Sequence, residues 1–194
     1  VRVFGTVLAG LGCLIVAAWF FLFIINSGVL EDPKTQRILV VANRRRGDKV
    51  NWSLPGGLVD RGESYREALT REFKEETGLL VDEDDWSRLY TTRFKQRNRA
   101  RDKRDVNSNF EVYFGTKWSG TLDFSSDPDR IVEHGLFAKR YLVHNLLRRN
   151  TEAVYEPLSE WLERPWRGET KHFRYRVEGY GSKRKVTREQ SWHE

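Results

Sequence analysis

Glu72, Glu75 and Glu76 recur at i, i+3 and i+4 in a segment rich in helix-forming residues. That spacing puts three carboxylates on one helical face. Like charges so arranged weaken an isolated helix, and a bound cation would relieve the repulsion. Carboxylate oxygens at this density suit Mg²⁺ or Mn²⁺, ions that also bridge phosphate oxygens. The plainer reading is a solvated acidic face with an i, i+4 pair between Arg71 and Glu75.

Several elements must position these acids. Trp52, Leu54 and Pro55 read as a strand end running into Gly56-Gly57, a turn whose backbone can take positive φ and approach a ligand closely. Asp60, Gly62 and Glu63 form a loop feeding a helix. Ser64 is the expected N-cap, the helix runs to Thr77, and Gly78 is its stop. Ala68, Leu69 and Phe73 lie off the acidic face and can pack the helix on a sheet.

Elsewhere the pattern predicts a hairpin of Ile24–Leu30 and Arg37–Ala42 about the turn EDPKTQ. Strands are expected at Trp86–Arg93 and Phe110–Thr116, about the basic stretch KQRNRARDKRDVNSN. Gly120–Asp129 is a loop and Ile131–Phe137 a short strand. Tyr141–Arg149 and Ala153–Leu162 have helical apolar spacing, with Pro157 expected to kink or divide the second. Phe173–Val177 is a candidate last strand before a loose basic end.

Val3–Ile25 carries no charge, a length that suits a membrane-crossing helix if the predicted hairpin takes only its last residues. The other reading is a buried extension. Net charge is +6, from 34 Lys and Arg against 28 Asp and Glu, which fits a polyanionic ligand. A single Cys13 rules out an intrachain disulfide framework. The four His residues show no metal-ligand spacing.

From Gly57 to Leu79 the chain reads Gly57, Glu63, Arg71, Glu72, Phe73, Glu75, Glu76, Gly78, Leu79. This resembles, without a departure, the G-x5-E-x7-R-E-U-x-E-E-x-G-U signature of the MutT-type Nudix hydrolases, where U is bulky and apolar. The resemblance implies an α/β fold: an α/β/α sandwich with a mixed sheet, here with an N-terminal hydrophobic segment added. It covers most of Ile24–Leu162. The expected division is a hydrophobic segment 1–23, a hydrolase domain 24–165 and a basic tail 166–194.

The resemblance also implies metal-assisted cleavage of a pyrophosphate in a nucleoside diphosphate linked to a group X, with Mg²⁺ or Mn²⁺ as cofactor. Glu72, Glu75, Glu76 and the Gly56 carbonyl would bind metal, and Glu72 or Glu76 would serve as base, with Arg71 and Glu63 in support. Gly57, Arg97 and Asp129 are candidate substrate contacts, Asp127 and Glu133 being alternatives to Asp129. Fifteen residues beyond Leu79, where the ADP-ribose class tends to carry Pro, this chain has Phe94. Lys95 or Gln96 stands where dinucleoside polyphosphate enzymes tend to carry Tyr.

Three functions remain open. These are hydrolysis of a nucleoside triphosphate or nucleotide-sugar type substrate, pyrophosphohydrolysis at an RNA 5′ end served by the basic stretch, and a non-catalytic nucleotide-binding module. The expected location is membrane-associated through residues 3–23, or alternatively soluble and cytoplasmic.

Overall fold

The computed structural model describes residues 23–45, 49–97, 105–125, 132–148, 150, 152–179 and 184–193. Its strands are β1 (Phe23–Asp32), β2 (Arg37–Arg45), β3 (Lys49–Ser53), β4 (Leu80–Val81), β5 (Ser87–Arg97), β6 (Asp105–Gly115), β7 (Trp118–Ser119), β8 (Val132–Ala138), β9 (Lys171–Glu178) and β10 (Lys185–His193). The helices are α1 (Tyr65–Thr77), α2 (Arg140–Leu147) and α3 (Glu152–Glu163). The main sheet runs β10-β9-β5-β6-β1-β2-β3, with β8 also on β2. It is mixed: β1 lies parallel to β6 and β5 parallel to β9, while the other neighbours are antiparallel.

Strand alternation sorts side chains onto two faces. Val29, Tyr90, Val112 and Phe173 turn to one core, closed by Val143, Leu158 and Trp161 of α2 and α3. Leu30 and Tyr113 turn to the other, closed by Leu69 and Phe73 of α1 together with Trp86. Helices therefore cover both faces, as expected for an α/β/α sandwich.

Helix α1 is delimited by the predicted signals. Ser64 accepts from the Glu67 N–H at 3.1 Å, and Glu67 reaches back to the Ser64 N–H at 2.6 Å, a reciprocal capping box. Gly78 ends the helix at φ 73°. A Cβ on Gly28 of β1 would lie 2.5 Å from the Phe73 ring and 2.8 Å from the Trp86 ring, so glycine lets α1 sit flush on the sheet.

Three expectations are corrected. The β1–β2 hairpin is paired in register only at Glu31↔Ile38 and Asp32↔Arg37. Over Phe23–Leu30 the partner of β1 is β6, and the other edge is taken by the loop after β3. Asn26 N–H donates to the Gly57 carbonyl at 2.9 Å, Gly28 N–H to Pro55 at 3.0 Å, and Val59 N–H to Ile24 at 3.2 Å. Pro157 lies within α3 and does not divide it. It costs the helix one N–H donor, while Ala153, Leu158 and Trp161 anchor the flanking turns in the core. The basic end is not loose. It forms β10, paired along β9 from Lys185↔Glu178 to His193↔Lys171.

The hydrophobic segment 1–23 falls outside the described residues except for Phe23, which begins β1 and so is strand. Among the described residues no helix is long and apolar enough to cross a membrane.

Gly28→Val should lower unfolding free energy by about 1–3 kcal/mol, because the added methyls meet two packed rings. Urea titration followed by tryptophan fluorescence measures this. An unchanged midpoint would contradict the close α1–β1 packing.

Candidate active site

Arg71 is the hub of the acidic cluster. Its Nε donates to Glu63 Oε1 at 2.9 Å and one terminal nitrogen to Glu63 Oε2 at 3.1 Å, a bidentate pair. The same nitrogen reaches the Leu58 carbonyl at 3.2 Å. The other terminal nitrogen donates to Glu72 at 3.0 Å and to Glu75 at 3.2 Å. One guanidinium thus ties three acids of α1 and its leading loop to the turn after β3.

The glycines shape the other side. A Cβ on Gly57 would lie 2.3 Å from Glu72 Oε1, so only glycine leaves room for that carboxylate under the turn. Gly56 has φ 142° and presses on β1, where a Cβ would meet the Asn26 carbonyl at 2.3 Å. Its N–H donates to Glu76 Oε2 at 3.0 Å.

The acids differ in environment. Burial pushes the Glu72 carboxyl above the ordinary range, outweighing the nearby Arg71 charge. Glu63 is held below that range, chiefly by its hydrogen bond to Arg71. Arg71 is correspondingly raised by the bond to Glu63. Glu75 is the most exposed of the four acids around Arg71, apart from the distant Asp60 at 4.0 Å.

The donor types are those of a hard divalent cation. In the arrangement seen, Arg71 holds Glu72 and Glu75 while Glu76 is directed to Gly56. Among the described residues no three His, Cys, Asp or Glu side chains converge as a metal-holding group.

Beside Glu76 and Gly56 opens a cavity of about 130 Å³. Its walls include Leu54, Leu58, Phe110 and Leu158, with polar atoms from Asn43, Asn51, Asn150 and Tyr90. Asn43 and Asn51 are cross-strand partners on β2 and β3. Asn150 donates to the Trp52 carbonyl at 3.1 Å and accepts from Asn51 at 3.3 Å. Among the described residues the buried Tyr90 hydroxyl and Asn43 Oδ1 have no hydrogen-bond partner. Glu76, bonded to the Gly56 amide, is the one carboxylate of the wall among the described residues; the rest of the lining is apolar or neutral polar and suits an uncharged group.

Sequence spacing did not single out these cavity residues. The available signal was asparagine in the interior of two strands, where it is disfavoured without a reason. Of the other predicted contacts, Glu133 lies on β8 and pairs with Arg44 at 2.5 Å, outside the acidic cluster. The Arg97 side chain, Asp127 and Asp129 lie outside the described residues.

The NUDIX domain model matches residues 26–162. The chain belongs to the Nudix family. An ADP-ribose pyrophosphatase of Methanocaldococcus jannaschii is 43% identical over 54 residues, 28% of this chain and 31% of that protein. A putative 8-oxo-dGTP diphosphatase of Bacillus subtilis is 53% identical over 50 residues, 26% of this chain and 32% of its own length. The chain thus spans about a third of each of these curated relatives. A MutT protein from Bacillus halodurans shares the fold with a TM-score of 0.60 at 20% identity, covering 89% of this chain and 97% of that one. Members of this family generally use divalent metal ions.

Glu63→Gln should destabilise the metal-free protein by about 1–2 kcal/mol at pH 7, since it breaks a bidentate charge-assisted pair. The Glu63 pKa is depressed in the folded state, so its contribution is full above the unfolded carboxylate value. It is lost as pH falls through the folded value. The gap between the two proteins should therefore close in acid. Urea unfolding at stepped pH reads this, and a constant gap would remove Arg71 as its cause.

Proposed function

We infer that this Nudix hydrolase cleaves the pyrophosphate of a nucleoside diphosphate linked to a further group X, with Mg²⁺ or Mn²⁺ as cofactor. The observation that carries the reading is the junction of two unlike surfaces at one turn. Arg71 holds Glu72 and Glu75 on one side of Gly56-Gly57, a largely apolar cavity of about 130 Å³ opens on the other, and Glu76, bonded to the Gly56 amide, stands in the cavity wall where the two meet. A nucleotide has the matching halves, a polyanion and an uncharged base.

Glu72, Glu75, Glu76 and the Gly56 carbonyl would hold the ion. When bound, the cation neutralises charge on the phosphates and lowers the pKa of water. The chain's own groups do the rest. Burial raises the Glu72 carboxyl in the metal-free protein; a cation bound beside it would lower it again, leaving a carboxylate that could accept a proton from water. Arg71 orients Glu72 through its 3.0 Å bond. Glu63 holds Arg71 in place by the bidentate pair and positions without touching substrate.

Leu54, Leu58 and Phe110 supply apolar wall for a base or a similar ring. A space of this size is comparable to engineered cavities of roughly 150 Å³ that admit benzene. Asn43 Oδ1 and the Tyr90 hydroxyl offer hydrogen bonds that the protein leaves unfilled. Gly57 keeps the turn thin enough for phosphates to lie over Glu72.

Glu76→Gln removes a carboxylate charge beside the turn and should lower kcat by at least about 10²-fold, given several kcal/mol of metal-borne charge stabilisation. A chelator should abolish hydrolysis, and added Mg²⁺ or Mn²⁺ should restore it. The assay panel is nucleoside triphosphates, oxidised nucleoside triphosphates, ADP-ribose, nucleotide sugars, dinucleoside polyphosphates and 5′-triphosphate RNA. Near-normal turnover by the variant would sink the site assignment. A folded wild-type protein that binds nucleotide but cleaves nothing in the panel would favour the binding-module reading instead.

A further inference from the structure

Among the described residues, the half of the main sheet built from β5, β9 and β10 is covered on one face by α3, and no helix lies on its other face. Arg93 and Lys95 of β5 stand in register with Arg174 and Arg176 of β9. Cross-strand partners point to the same face, so four cations form a two-by-two grid. Spacings are about 4.8 Å across the strands and roughly 6.7 Å along them. All four are exposed. Like charges directly opposite one another destabilise a sheet, and here two such pairs lie side by side.

Three acids share this face: Glu111, Glu189, and Glu178 at the end of β9 in register with Lys185. Glu111 lies 3.8 Å from Arg88, and Glu189 binds Arg176 at 2.5 Å. Arg93, Lys95, Arg174, Asn107 and Glu189 border a depression of about 580 Å³.

An aromatic platform adjoins the grid. Trp192 of β10 is half-buried and stacks on His172, with centroids 5.2 Å apart and planes at 17°. The Arg174 guanidinium lies 5.6 Å from the Trp192 ring. By register, His172 lies on the same face as Arg174, beside Thr91. Cations at regular spacing next to a flat aromatic suit a chain of phosphates and stackable bases.

We propose that this open face of β5, β9 and β10 binds single-stranded nucleic acid, with Arg93, Lys95, Arg174 and Arg176 on phosphates and Trp192 stacked on a base. Helix α1 covers the β1–β6 half of the same face, about 14 Å (three strand spacings) from β9. A strand held on the grid would therefore present one end toward the acidic cluster. Binding at this face does not rest on the hydrolytic reading; only the choice of a polynucleotide end as the substrate does.

The test is fluorescence anisotropy of a labelled oligouridine of about twelve nucleotides, with the full chain, across a salt series. Four phosphate contacts predict a log–log slope near −2.8, or about fifty-fold weaker binding from 50 to 200 mM salt. Arg93→Gln/Arg174→Gln should halve the slope, to about −1.4. Trp192→Ala should weaken binding about tenfold, and Trp192→Phe should largely restore it. Mononucleotide hydrolysis should be unchanged in the double variant and its thermal melt no lower, since an opposed pair of like charges is removed, which separates loss of this face from loss of the fold or of the catalytic site.

An affinity and slope unmoved by the double variant would overturn the proposal. So would a face that binds vesicles containing anionic lipid, in a manner lost in the double variant, while the oligouridine does not bind.

Discussion

Mutual repulsion among carboxylates governs this molecule. Glu63, Glu72 and Glu75 all lie against one guanidinium, and without that positive charge their repulsion would weaken the junction of the helix and its leading loop. Arg71 holds them together, with four bonds from its guanidinium to three acids and a fifth to the Leu58 carbonyl. The planar fork matters, because a lysine at this position could not present donors in so many fixed directions. The turn after β3, the helix and the acids thus become one unit, and the rest of the sheet is arranged to carry it.

That unit is seated by glycine. Gly57 leaves volume for the Glu72 carboxylate, Gly56 lies against β1 at a φ that disfavours side chains, and Gly28 admits Phe73 and Trp86. The turn then claims the edge of β1 that a β1–β2 hairpin would have used. In consequence, α1 lies on one face of the sheet and the largely apolar cavity opens on the other, and the two meet at Gly56. A substrate with a charged and an uncharged half can address both faces only across this edge.

Much of this was legible. Ser64 and Gly78 marked the ends of α1, and the acids' spacing marked its functional face, because these are local properties of a helix. Glu63 and Arg71, eight residues apart across a loop–helix junction, were visible as partners of the cluster, though not as a bidentate pair. The cavity was not legible. Asn43, Asn51, Tyr90 and Asn150 come from separate stretches of chain, and only strand pairing and the packing of α2 and α3 bring them together. The basic end was read as loose because its charges hid the alternation. In β10 most side chains face solvent, so the pattern there is set by backbone pairing with β9 rather than by an apolar face.

The sequence by itself determined the chemistry available: which carboxylates share a helical face, which arginine stands beside them and where glycine permits a close turn. Those follow from the helix period and from side-chain size, which act over a few residues. Tertiary structure alone decided the parallel partner of β1, the cavity behind Gly56, and the register that sets Arg93 against Arg174 and Lys95 against Arg176. Such choices depend on which strand edges remain unpaired once the core has closed, and that is a property of the whole sheet rather than of any one segment.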